Sequence, residues 1–119
     1  MKKLILIVED DLDILDSAKL FLEMEGFEVA EAHNGQEAMD FLKESPTRPS
    51  LILLDLMMPI KDGFDFRNEQ LDSPFASIPV VVMTAEGRWS ERKDQLKAEA
   101  TVKKPFDLDR LIEVVRQVS

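Results

Sequence analysis

The sequence predicts an α/β domain in which five parallel strands, each followed by a helix, form one sheet wound on both faces. Two observations carry this. Short apolar runs of strand length alternate five times with longer stretches of helical period. The runs LILL and VVVM are unbroken by polar residues, as central parallel strands covered on both faces should be. A third observation places the site. Polar groups stand at the carboxyl ends of four runs, Glu9-Asp10, Asp55, Thr84 and Lys104, and a doubly wound sheet does its work beyond those ends.

Taken in order, the first strand covers about 3–8 and leads into a helix over about 12–25, with Leu12, Leu15, Ala18 or Lys19, and Leu22 on one side and Ile14 and Phe21 widening the stripe. Gly26 ends that helix. The second strand covers about 27–32, and Asn34-Gly35 turns the chain into a helix over about 36–44 that stops before Pro46. SLILLD is the third strand, with Pro59 and Gly63 in the loop after it. A third helix is expected over 64–71, although LDSPFASIP beyond it has two prolines and no clear period. The fourth strand is expected over 78–83, a short helix over 88–98 and the fifth strand over 100–104. Asp107 then caps a last helix in which Leu108, Leu111, Ile112, Val115 and Val118 recur at helical spacing.

A chain of 119 residues, 45% of them hydrophobic, suits one domain over 1–119 with a real core. The absence of cysteine rules out disulfides and thiolate metal sites, and a single histidine rules out multi-histidine zinc chemistry. No apolar run has the roughly 20 residues of a membrane span. Together these suggest a cytoplasmic protein. A net charge of -9 repels phosphate backbones, so direct nucleic-acid binding is not expected.

The stretch VEDDLD crowds four carboxylates at the end of the first strand. Like charges repel and lose hydration beside a packed sheet, so the cluster calls for a cation. Asp11 and Asp13 suit the start of the first helix, as cap and first-turn acid. Glu9 and Asp10, brought together with Asp55, would offer the oxygen donors that Mg²⁺ prefers, with Lys104 balancing the remaining charge. No Cys, Ser or His is placed as a nucleophile beside a base, which leaves a carboxylate. Asp55, ending the most buried strand, is best placed to attack phosphorus and form an acyl phosphate. His33, beside the Asn-Gly turn, reads as a surface residue, and Trp89 as packing or part of a partner surface.

LILIVEDD, LLDLMMPIKDG, IPVVVMTA and VKKPF, in this order, resemble the receiver domain of two-component response regulators over essentially the whole chain. The resemblance implies a flavodoxin-like (βα)5 sheet of strand order 2-1-3-4-5. It implies Asp55 as phospho-acceptor, with Glu9 and Asp10 holding Mg²⁺, Asp10 more directly, and the backbone carbonyl of Met57 as a further ligand. Thr84 matches the switch hydroxyl, Ala85 its small neighbour, Lys104 the family lysine and Pro105 the residue after it, through a cis bond. The implied donor is a sensor histidine kinase or histidine phosphotransfer protein, and the implied reader is a downstream effector or an output domain. The chain would catalyse its own phosphorylation and slow dephosphorylation, a signalling domain rather than an enzyme acting on other substrates.

Departures from the family pattern qualify the output. Thr101 stands where the family usually has an aromatic residue that swings inward. The span from Thr84 to Lys104 is short, which implies a truncated or reshaped fourth helix. Val114 and Val115 occupy places where basic partners of a charged dimer interface would be sought, so that dimer is not expected. Met57 and Glu86 flank the path of an attacking water, and apolar Met57 cannot orient it, which implies a long-lived phosphoryl group. The ending just after the last helix, with no linker begun after Val118, is expected of a single-domain regulator somewhat more than of an excised receiver. A phosphorylation-independent pseudo-receiver would lack one of the five site groups, and all five are present. An aspartyl-phosphate phosphohydrolase would need an acid at Met57.

Overall fold

The computed structural model describes residues 2–85, 96–104 and 107–119, with the side chains of Thr84, Ala85, Lys103 and Lys104 outside that description. The chain runs β1 (Leu4–Val8), α1 (Leu12–Met24), β2 (Glu28–Ala32), α2 (Gly35–Glu44), β3 (Leu51–Asp55), α3 (Gly63–Leu71), β4 (Val80–Ala85), β5 (Ala100–Lys104) and α4 (Leu108–Val118). The five strands form one sheet of order β2-β1-β3-β4-β5, and every neighbouring pair is parallel. This is the doubly wound sheet the sequence predicts. The helix expected over 88–98 falls mostly outside the described residues, and within it Leu96 is helical while Lys97 and Ala98 are not.

Alternate residues along each strand point to opposite faces, and both faces are filled. Leu6, Val8, Ile52, Leu54, Val80 and Val82 pack on one side with residues of α2 and α3. Ile5, Ile7, Leu51, Leu53, Val81 and Met83 pack on the other with residues of α1 and α4. All of β3 is buried, which accounts for its unbroken apolar run. Edge strand β2 is more open, with Glu28 and Glu31 exposed, Val29 and Ala30 half-buried and Ala32 buried.

Most element ends lie within one residue of their expected places. β4 differs: it starts at Val80, after Ile78-Pro79, and runs to Ala85, so Thr84 and Ala85 are its last residues. The proline ring lacks the N–H that a ladder needs. In α1, Leu15, Ala18 and Leu22 are buried as expected, but Leu12 is 59% exposed, one turn before the helix reaches the sheet. Gly26 ends α1 at φ 95, a conformation that side chains disfavour. Val114 joins Leu111, Ile112 and Val115 in the buried face of α4, and the Arg116 guanidinium donates to Glu25 at 2.6 Å, tying α4 to the end of α1.

Candidate functional site

Parallel β1 and β3 are neighbours in register through Val8 opposite Leu54, so the residues next along both strands emerge together. They are Glu9 and Asp55. Glu9 is fully buried and Asp55 nearly so, while Asp10 is exposed. One carboxylate oxygen from each of the three lies within 4.8 Å of the others. The Glu9 backbone N–H donates to the Ala32 carbonyl at 3.0 Å, extending the β1–β2 ladder by one residue. Its side-chain oxygen accepts from the Asp11 N–H at 3.3 Å. Asp11 itself caps α1, accepting from Asp13 N–H at 3.0 Å and Ile14 N–H at 3.3 Å, so VEDDLD divides as its sequence suggests. Glu9 and Asp10 face Asp55, and Asp11 serves the helix.

Three carboxylate oxygens converging at the end of a buried sheet form a donor set for a hard divalent cation, two of them already desolvated by the fold. The cluster could hold a metal. The other predicted groups arrive on β4 and β5. Met83 pairs with Asp55 across β3 and β4, so Thr84 is one residue beyond the acidic residue's level. Thr84 and Ala85 pair with Lys103 and Lys104. The topology therefore puts all four strand ends on one edge of the sheet. Pro105, Glu86 and Trp89 lie outside the described residues. Thr101 is exposed on β5, and the Met57 side chain, in the loop after β3, is 78% exposed.

Two features of that loop were not legible as site residues. Gly63 opens α3 with its N–H donating to the Leu56 carbonyl at 3.0 Å. A Cβ there would lie 2.5 Å from the Asp55 carbonyl oxygen and 2.8 Å from Leu56 Cα, so only glycine lets α3 close against the loop. The signal was present as Asp62-Gly63 before a helical stretch, with the Asp62 side chain accepting from Asp65 N–H at 2.9 Å. Ile60 has φ 68 and is 85% exposed, an unfavourable backbone for a β-branched residue. The loop is held from both sides. Gly35 N–H donates to the Lys61 carbonyl at 2.7 Å, and the Lys61 ammonium pairs with Glu69 of α3.

His33 follows Ala32, the residue opposite Val8, at the β2 end of the same edge, and pairs there with Glu37. Its Nδ1 lies 2.8 Å from Glu37 Oε1, and its backbone N–H donates to the same oxygen at 3.1 Å. These bonds, side chain first, hold the Glu37 carboxyl below the ordinary carboxylate value.

Among known proteins, the chain is 38% identical over 118 residues to the response regulator Rre1 of Synechocystis, covering 96% of this chain and 50% of that one. It is 37% identical over 116 residues to the transcriptional regulatory protein CpxR of Escherichia coli K12, covering 96% and 48%. The chain thus spans about half the length of the curated relatives it matches. A solved response regulator receiver protein from Pseudomonas putida superposes with a TM-score of 0.90 at 26% identity, covering 98% of each chain. The family model for the response regulator receiver domain matches residues 5–116. With the strand order, the acidic edge and these likenesses together, the chain belongs to the response regulator receiver domain family.

Proposed function

We propose that this receiver accepts a phosphoryl group on Asp55 in a Mg²⁺-dependent reaction and that the modified domain changes its affinity for a partner. The observation that carries this is the convergence of the Glu9, Asp10 and Asp55 carboxylate oxygens within 4.8 Å at the end of a fully buried strand. The donor is a phosphohistidine on a sensor histidine kinase or a histidine phosphotransfer protein. An Asp55 oxygen attacks phosphorus, the P–N bond breaks, and its electron pair leaves with the imidazole, which takes up a proton. The product is an acyl phosphate on Asp55.

Glu9, Asp10, Asp55 and the Met57 carbonyl would hold the metal. Bound there, Mg²⁺ supplies positive charge against the charge developing on the phosphoryl oxygens. Lys104, on the same sheet edge, supplies a second positive charge, Thr84 a hydroxyl for the phosphoryl group and Ala85 the space beside it. Pro105 follows Lys104 in the sequence, as the family motif has it. Glu9 and Asp11 set the local geometry: the Glu9 carboxylate is held by the Asp11 N–H, leaving exposed Asp10 the more direct ligand. Phosphorylation then biases a two-state equilibrium in the surface around β5 and α4, which a downstream effector or an attached output domain reads. The domain also catalyses slow loss of its own phosphoryl group.

The test is intact mass after incubating the protein and its Asp55→Asn variant with a small-molecule phosphodonor, with Mg²⁺ or with a chelator. One added phosphoryl group on the parent, only with Mg²⁺, is the expected result. No adduct on the parent would rule the reading out, and turnover of many phosphate esters would replace it with hydrolase chemistry.

A further inference from the structure

The buried face of α3 contains two polar side chains, Arg67 and Gln70, 4% and 0% exposed. A buried guanidinium is costly unless its donors are met. Here they are met largely by backbone. Arg67 Nε donates to the Leu96 carbonyl at 2.6 Å and Nη2 to the Lys97 carbonyl at 2.9 Å, while Nη1 donates to Gln70 Oε1 at 2.8 Å. The Gln70 amide in turn donates to the carbonyls of Phe75 at 3.0 Å and Ile78 at 3.1 Å. One network therefore joins α3 to the chain just before β4 and to the chain just before β5. Burial draws the Arg67 guanidinium below its ordinary value, opposed by the charge of Glu99.

Lys97 has φ 48, a left-handed conformation that a non-glycine residue keeps only where its surroundings fix it. The Arg67 bond to its carbonyl is such a constraint. At the N-terminus of the same helix, Gly63 lies against the Asp55 carbonyl. Four residues, about one turn or ~6 Å of helix, separate that contact from Arg67. Exposed, small Thr101 offers no aromatic ring on β5 to transmit a change from the site.

We infer that Arg67 is a positioning residue, whose buried guanidinium clasps the Leu96–Lys97 backbone to α3 and passes displacements of the Asp55 loop to the chain entering β5. The clasp stands on the bonds above, and its coupling to the site rests on the proposed phosphorylation of Asp55. Hydrogen exchange separates the two. In the unmodified protein, Arg67→Met, which keeps length but no donor, is expected to speed exchange of the amides of residues 96–100 by at least about tenfold while β1 and β3 are unchanged. Arg67→Lys, which keeps the charge but loses the fork, is expected to fall between. Adding Mg²⁺ and beryllium fluoride, a phosphoryl analogue, should alter exchange in β5 of the parent, and Arg67→Met should bind the analogue yet lose that response.

Exchange within about twofold of the parent at residues 96–100 in both variants would overturn the clasp, as would equal acceleration throughout the sheet. A β5 response that survives in Arg67→Met, or that is absent from a parent that binds the analogue, would overturn the coupling. If the analogue does not bind the parent, phosphorylation and coupling fall together, and the exchange of the unmodified variants still decides the clasp.

Discussion

Gly63 shows how one missing methyl group builds the site. Its first atom beyond Cα would sit 2.5 Å from the Asp55 carbonyl oxygen, a backbone atom of a buried strand end that has little room to shift. Gly63→Ala should therefore destabilise the domain by about 1–3 kcal/mol through overpacking, measured by urea unfolding, and should slow phosphoryl uptake by moving the loop; unchanged stability would mean that the loop yields freely. Met57 bears on the proposed loss of the phosphoryl group. Its exposed side chain has no group to orient a water toward the proposed acyl phosphate. Met57→Asn should add one hydrogen bond, worth about 1 kcal/mol, and shorten the phosphoryl lifetime by about fivefold, read as decay of the adduct mass. A lifetime unaffected by this change, or one of seconds in the parent, would contradict the role assigned to Met57. The acid pair was legible in the sequence because four carboxylates at a strand end need an explanation, whereas Gly63 read only as loop punctuation because a close approach involves an atom that the sequence does not reveal.

Helix α3 was the faintest element in the sequence, and its buried face explains why. Phe64 and Phe66 are buried with Arg67 and Gln70, so the core-facing side is not marked by hydrophobicity and the usual period disappears. Hydrogen bonds complete that face instead, and they are visible only once Leu96, Lys97, Phe75 and Ile78 have been brought to it. Helix α4 is the converse, with an apolar stripe that the sequence states outright. Helix α2 is defined by its start. The Asn34 side chain accepts from Glu37 N–H at 2.9 Å, and Glu37 reaches back to His33. Asn34→Ala should cost about 1 kcal/mol, measured by urea unfolding, and no change would remove the cap from the account of α2. Because Glu37 titrates below its ordinary value in the folded protein, its contribution is complete above the unfolded value and is lost as pH falls through the folded one. His33→Ala removes the larger cause, so the Glu37 carboxyl resonance should titrate at higher pH than in the parent. An unmoved titration would take the imidazole out of that contact.

At the scale of the molecule, the sheet is the partition between two cores. Leu53 faces the α1–α4 side and Leu54 the α2–α3 side, both fully buried. Leu53→Ala and Leu54→Ala should each cost about 2–5 kcal/mol in urea unfolding, whereas a sheet with one solvent face would leave one of them nearly neutral. The sequence by itself determined the class, the strand count and the set of acids, because period, strand length and unbroken apolar runs are local records of which residues meet solvent. It also carried the family motifs in order, since each sits at a strand end and is contiguous along the chain. Only the tertiary structure decided that Glu9, Asp10 and Asp55 come within 4.8 Å, that α3 closes on the Asp55 loop at Gly63 and that Arg67 meets the carbonyls before β5. These are contacts between residues 29 to 46 positions apart or pressed together across a loop, and their geometry is set by parallel register and helix packing rather than by any local preference of the chain.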